Sequence, residues 1–192
     1  PESSVNWVSP ITDTINNAQL TYTMANAVSF GGTAINAATG DVVNGGSFCP
    51  TGGAANVNNG THLQLNIPTT GYSDISISYA VRKTSTGFTS QEIQYTLNGT
   101  DWISKETKDI STYSNSWVAG QIITIYFSSI AAVDNNANFA VRIIFTGATA
   151  EAGNNRIDNI KVLGNPPTTN YAVNFSVVGT NGTLGAKVDN VD

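Results

Sequence analysis

Charge is what this chain has least of. Asp, Glu, Lys and Arg make up 11% of its 192 residues, less than half of the roughly 25% that soluble domains carry. Its eight Lys and Arg do not cluster and the net charge is −5. A nucleic-acid footprint needs a basic patch, so this composition argues against one. Anionic membranes are poor partners for the same reason. Cysteine occurs once, at Cys49, which leaves no intrachain disulfide and reads as a buried free thiol. Histidine occurs once, at His62, which excludes most His-based zinc sites and the conventional triads. No apolar run approaches the ~20 residues that span a bilayer. "GGTAINAATG" carries glycines but lacks the lysine and the strand-to-helix context of a phosphate loop. The opening "PESSVNW" has no signal-peptide pattern and reads as a mature end. Strong helix formers are scarce, and no segment shows a capped 3.6-residue period.

What is present is a 40% hydrophobic share set among Asn, Thr, Ser and Gly. Such neutral polar residues cover the wet faces and fill the turns of extracellular β-proteins. Apolar residues recur at period two. "HLQLNI" puts Leu63, Leu65 and Ile67 on one face, and "DISISYAVRK" does so with Ile75, Ile77, Tyr79 and Val81. "EIQYTL" and "NGTDWI" predict two strands around an Asn98-Gly99 turn. "QIITIYF" (121–127) is apolar at both parities and reads as a central strand; "NFAVRIIF" and "RIDNIKVL" follow, and "SSIAAVD" is at most one helical turn. The fold predicted is an all-β antiparallel sandwich or jelly roll over residues 1–164. Pro166-Pro167 lies in an extended linker, 165–170. Residues 171–192 then read as a β-hairpin opening a second β-module.

The order "TGYSDISISYAVRKTSTGFTSQEIQYTLNGTDWI", then "FAVRIIFTGATAEAGNNRIDNIKVLG", resembles the jelly-roll accessory domains of secreted bacterial enzymes and adhesins, similar in outline to β-sandwich carbohydrate-binding modules. The last 22 residues, "YAVNFSVVGTNGTLGAKVDN" onward, resemble the start of an internalin-type B-repeat. These resemblances imply a secreted or cell-surface location and a larger parent protein. They also imply a non-catalytic module, monomeric as an isolated domain, that anchors its parent to a polysaccharide. The competing expectation is a structural spacer or adhesive module with no small ligand.

Sugar-binding surfaces use flat aromatic rings with polar side chains to fix hydroxyls. Trp102 and Trp117 flank Tyr113 in the turn-rich "DWISKETKDISTYSNSWVAG", and Arg82 has the opposite parity to its strand's apolar row. These four are the candidate ligand contacts. Both tryptophans also fit a core role, because Trp is highly buried on average. The acidic residues show no glycosidase spacing. Asp158 stands out, because simple alternation in "RIDNIKVL" puts it on the face of Ile160 and Val162. A buried carboxylate needs a partner: an arginine such as Arg142 or Arg156, backbone N–H groups of a loop, or calcium with its oxygen ligands. The resemblance implies calcium, since many such modules hold one near a last-strand aspartate. Asp13 and Asp41 are the expected companion ligands of Asp158, with Glu2 and Glu151 as further sources of a carboxylate.

Overall fold

The computed structural model describes residues 18–24, 27–37 and 45–167. Asp13, Asp41, half of the 165–170 linker and the 171–192 segment therefore lie outside the described residues. Ten strands account for the architecture: β1 (Gln19–Tyr22), β2 (Ala27–Phe30), β3 (Gly46–Cys49), β4 (His62–Asn66), β5 (Ser73–Lys83), β6 (Ser90–Thr96), β7 (Trp102–Asp109), β8 (Ile122–Tyr126), β9 (Ala140–Thr146) and β10 (Asn155–Asn165). They form two five-stranded sheets, β1-β4-β9-β6-β7 and β2-β3-β10-β5-β8. Every pairing is antiparallel. From β4 onward the chain passes repeatedly from one sheet to the other, so sequence neighbours seldom pair. That connectivity makes the sandwich a jelly roll.

Alternation decides which side chains meet between the sheets. Leu63, Leu65, Ile93, Val141, Ile143 and Phe145 of the first sheet face Ile75, Ile77, Tyr79, Val81, Ile123 and Ile125 of the second, all buried in one cluster. Each such side chain contributes about 1.5–3 kcal/mol of transfer free energy. Aromatic rings close the ends. Phe88 meets Phe145 with centroids 5.5 Å apart, and Phe127 meets Phe139 edge-on at 5.1 Å. Inside the core, the Tyr79 hydroxyl donates to Gln91 Oε1 at 2.7 Å.

Two glycines let loops approach closely. A Cβ on Gly87 would lie 2.2 Å from the Asn154 carbonyl oxygen, and one on Gly153 would lie 2.1 Å from that of Thr86. No side chain fits there, so the β5–β6 turn can lie directly against the segment entering β10.

The structure corrects three expectations. First, "QIITIYF" is not a central strand, because β8 is the edge of its sheet. Its inner row is Ile123, Ile125 and Phe127, while Tyr126 is 65% exposed. Second, β6 and β7 form the expected hairpin, but its Asn98-Gly99 connection is a loop of five residues between the paired Thr96 and Trp102, in which only Gly99 takes positive φ. Asn98 organises it by accepting the Thr100 and Asp101 amides on Oδ1 at 2.9 and 2.8 Å. Third, the parity of β10 breaks. The register against β5 shifts between Asp158 and Lys161, and Asn159 sits at φ 50°. Asn tolerates that left-handed conformation better than most residues. Before the bulge Ile157 is in the core, 1% exposed, so Asp158 points to the outer face. After it Val162 lies opposite Ile77. Asp158 and Val162 therefore do not share a row.

Candidate functional site

The candidate contacts divide between two surfaces. Arg82 and Trp117 come together on the outer face of the second sheet, with the Arg82 guanidinium 5.2 Å from the Trp117 ring centroid. Arg82 Nη1 also donates to the Asn115 carbonyl at 2.8 Å. Trp117 Nε1 donates to the Gly31 carbonyl at 2.7 Å. The loop before β8 is thereby tied across Arg82 to the loop after β2. Trp102 lies on the opposite surface, the outer face of the first sheet. There Arg142 covers its ring at 4.4 Å and donates through Nε to Gln94 Oε1 at 2.7 Å. A cavity of about 220 Å³, lined by Gln64, Asn66, Gly99 and Ala140 among others, lies at the end of that face. Tyr113 is half-buried and packs against the core.

The outer face of the second sheet has more to offer a ligand. Tyr126 of β8 pairs with Ser76 of β5, and residues 76, 78, 80 and 82 share one parity. Tyr126 and Arg82 therefore stand on the same face, six residues apart along β5, about 20 Å at ~3.3 Å per residue. Ser76 sits beside Tyr126, and Ser78 and Thr124 lie between it and Arg82, all three partly exposed. Residues 31–37 form one border of this surface. Asn36 Nδ2 donates to Ser78 Oγ at 3.1 Å and to the Asn159 carbonyl at 2.9 Å. Sequence reasoning missed Tyr126 because the whole of 121–127 was read as buried; the alternation Ile123, Ile125, Phe127 against Tyr126 was the available signal.

Asp158 belongs to the same border. Its Oδ2 accepts the Thr33 amide at 2.7 Å, and its Oδ1 accepts the Asn159 amide at 2.9 Å. Asn159 Nδ2 donates in turn to the Thr33 and Ile35 carbonyls. This is the backbone-amide partner foreseen for Asp158, applied on the outer face instead of in the core. Amide donors on both oxygens hold the carboxylate against the loop. Among the described residues no group of three His, Cys, Asp or Glu side chains converges.

Two guanidinium groups set the electrostatics. Arg156 is the cross-strand partner of Arg82, and its Nη1 lies where a Gly31 Cβ would come within 2.5 Å. Burial and the charge of Arg156 together pull the Arg82 pKa below its ordinary value. Cys49, the buried thiol, sits beside both. Burial raises its pKa, while the charge of Arg156 and its hydrogen bond oppose the rise, as does Arg82 more weakly.

No protein-family model and no curated protein matches the chain. Several solved structures resemble it. A xylan-binding module of the CBM15 group is 12% identical, with 88% of this chain and 99% of that one covered and a TM-score of 0.47. The CBM22-1–GH10 modules of a Clostridium thermocellum xylanase, solved with xylohexaose, are 12% identical over 83% of this chain, with a TM-score of 0.46. Tailspike protein 4 of bacteriophage CBA120 is 14% identical over 84%, with a TM-score of 0.47. The chain spans only 28% of that xylanase and 21% of that tailspike.

Proposed function

We propose that this chain is a non-catalytic carbohydrate-binding module of a larger secreted or cell-surface protein, and that it holds its parent on a polysaccharide. One observation carries the reading: Trp117, stacked on Arg82, and Tyr126 share a single sheet face on which Arg82 and Tyr126 stand about 20 Å apart along β5, with Ser78 and Thr124 between those two. Aromatic rings accept the apolar faces of sugars, and the hydroxyl and guanidinium groups between them address sugar hydroxyls. The extended spacing suits a chain of several sugars better than a single small molecule. Trp102 takes no part in this site, since it lies on the outer face of the other sheet, where no second Trp, Tyr or Phe joins it among the described residues.

The described residues of this face suit binding better than chemistry on the sugar. Of its described carboxylates, Asp158 accepts backbone amides and Asp74, at the far end of β5, accepts from Asn165 Nδ2, whereas a glycosidase needs two carboxyl groups astride one bond. No helix of the described residues is long and apolar enough to cross a membrane. The test is affinity electrophoresis and calorimetry of the whole chain against neutral and acidic polysaccharides. Binding to at least one, lost in Trp117→Ala and Tyr126→Ala, is expected. Silence across the panel would leave the spacer role in its place.

A further inference from the structure

Arg82 and Arg156 form an unusual pair. They lie directly opposite each other on β5 and β10, an arrangement in which like charges destabilise a sheet. No carboxylate of a described residue lies within 4.0 Å of either, since Glu106–Lys108 is the single ion pair among the described residues. Both Nε atoms are buried and lack a hydrogen-bond partner. An unpaired buried N–H is destabilising. Arg82 does find the Asn115 carbonyl and the Trp117 ring, but those are neutral groups. Two guanidinium charges are thus concentrated and partly desolvated, with no ion-pair partner among the described residues, in a chain whose net charge is −5.

We infer that the Arg82–Arg156 pair is the subsite for an anionic sugar, a carboxylate-bearing residue of an acidic polysaccharide. The inference rests on the polysaccharide reading above and narrows it to polymers containing uronic acids. A planar carboxylate matches the guanidinium fork and can accept from both arginines at once. Its charge would offset the repulsion within the pair. The position next to Trp117 lets the same sugar use the ring and the guanidinium groups together. A point charge on a flexible lysine would not hold a carboxylate in one orientation, whereas both arginines are fixed, one by the indole and the other by Gly31 and Cys49.

The test uses one acidic polysaccharide in two forms, native and with its carboxyl groups chemically reduced to alcohols, beside a sulfated polymer and the neutral panel. Titration calorimetry at about 50 mM salt, where screening is modest, reads the affinities. The native polymer is expected to bind roughly tenfold tighter than the reduced one, which is the order of a charge-assisted bidentate contact. The difference should vanish in Arg82→Gln and in Arg156→Gln. A melt of each variant keeps the result interpretable: removing one charge of a repelling pair should lower the melting temperature little, and a uronic-acid oligosaccharide should raise it in the wild type alone. Equal affinity for native and reduced polymer would overturn the inference and leave the polysaccharide reading standing. Binding of the sulfated polymer without the uronate would also overturn it. No binding to any polymer would remove both.

Discussion

The Asp158 carboxylate accepts the Thr33 amide at 2.7 Å, across 125 residues of chain. This contact joins the last strand to the loop that borders the candidate site, so it holds the site's wall in place. Charge-assisted bonds of this kind contribute about 1.5–3 kcal/mol. Asp158→Asn should lower the melting temperature by roughly 5 °C, given about 2–4 °C per kcal/mol for a chain of this size. Melts with calcium and with chelator separate this anchoring from cation binding, since each carboxylate oxygen has a second lone pair beyond the one its N–H donor uses; superimposable curves would leave the amides as its partners. A higher melting temperature with calcium would show that Asp158 has cation ligands as well.

Asn159 does two jobs at once, and two substitutions separate them. Its backbone takes the left-handed conformation of the bulge, and its amide caps the Thr33 and Ile35 carbonyls. Asn159→Gly keeps the backbone freedom and loses the bonds, for an expected cost of about 1–3 kcal/mol. Asn159→Ala loses both and should cost about 1 kcal/mol more. Urea unfolding measures the two differences. Equal values for Gly and Ala would mean the bulge imposes no backbone demand.

How far the sequence revealed these features depended on how local they were. Rows such as Ile75-Ile77-Tyr79-Val81 announced their strands and their inner face, because alternation follows directly from the backbone. The fold class followed from the number and spacing of such rows. Edge position was not legible: β8 lies at the edge because β10, some 30 residues later, takes the inner place beside β5. The bulge at Asn159 was equally hidden, since one extra residue inverts parity without a mark in composition. Arg82 was assigned outward correctly from its own strand's alternation. Trp102 and Trp117 looked like neighbours through sequence proximity, yet β7 and β8 belong to different sheets, which put the two indoles on opposite surfaces.

That separation yields a prediction about affinity. If the second sheet's outer face binds the polysaccharide, Trp117→Ala and Tyr126→Ala should each weaken binding about tenfold, near the 1–2 kcal/mol expected of an aromatic contact. Trp102→Ala should leave the affinity within about twofold, although it exposes Arg142 and loses their stacking, worth about 0.5–1 kcal/mol of stability. The reverse pattern would move the site to the first sheet, beside the cavity lined by Gln64 and Asn66.

Cys49 offers a pH-dependent readout of the same neighbourhood. Burial raises its pKa despite the opposing pull of Arg156 and Arg82, so the folded state holds the thiol proton more tightly than the unfolded chain, whose thiol titrates near 8.5. The resulting stabilisation is fully present below that unfolded value and is lost as pH rises through the higher folded pKa. Native protein at about pH 8 should therefore react slowly with iodoacetamide, and urea should restore the rate of a free thiol. Cys49→Ala should flatten the fall in melting temperature just above about pH 8.5, leaving the decline at higher pH that Tyr79, whose pKa is pushed well up by complete burial, produces on its own. Fast labelling of the native protein would mean that the arginine charges outweigh burial. In that case Arg156→Gln should slow the reaction.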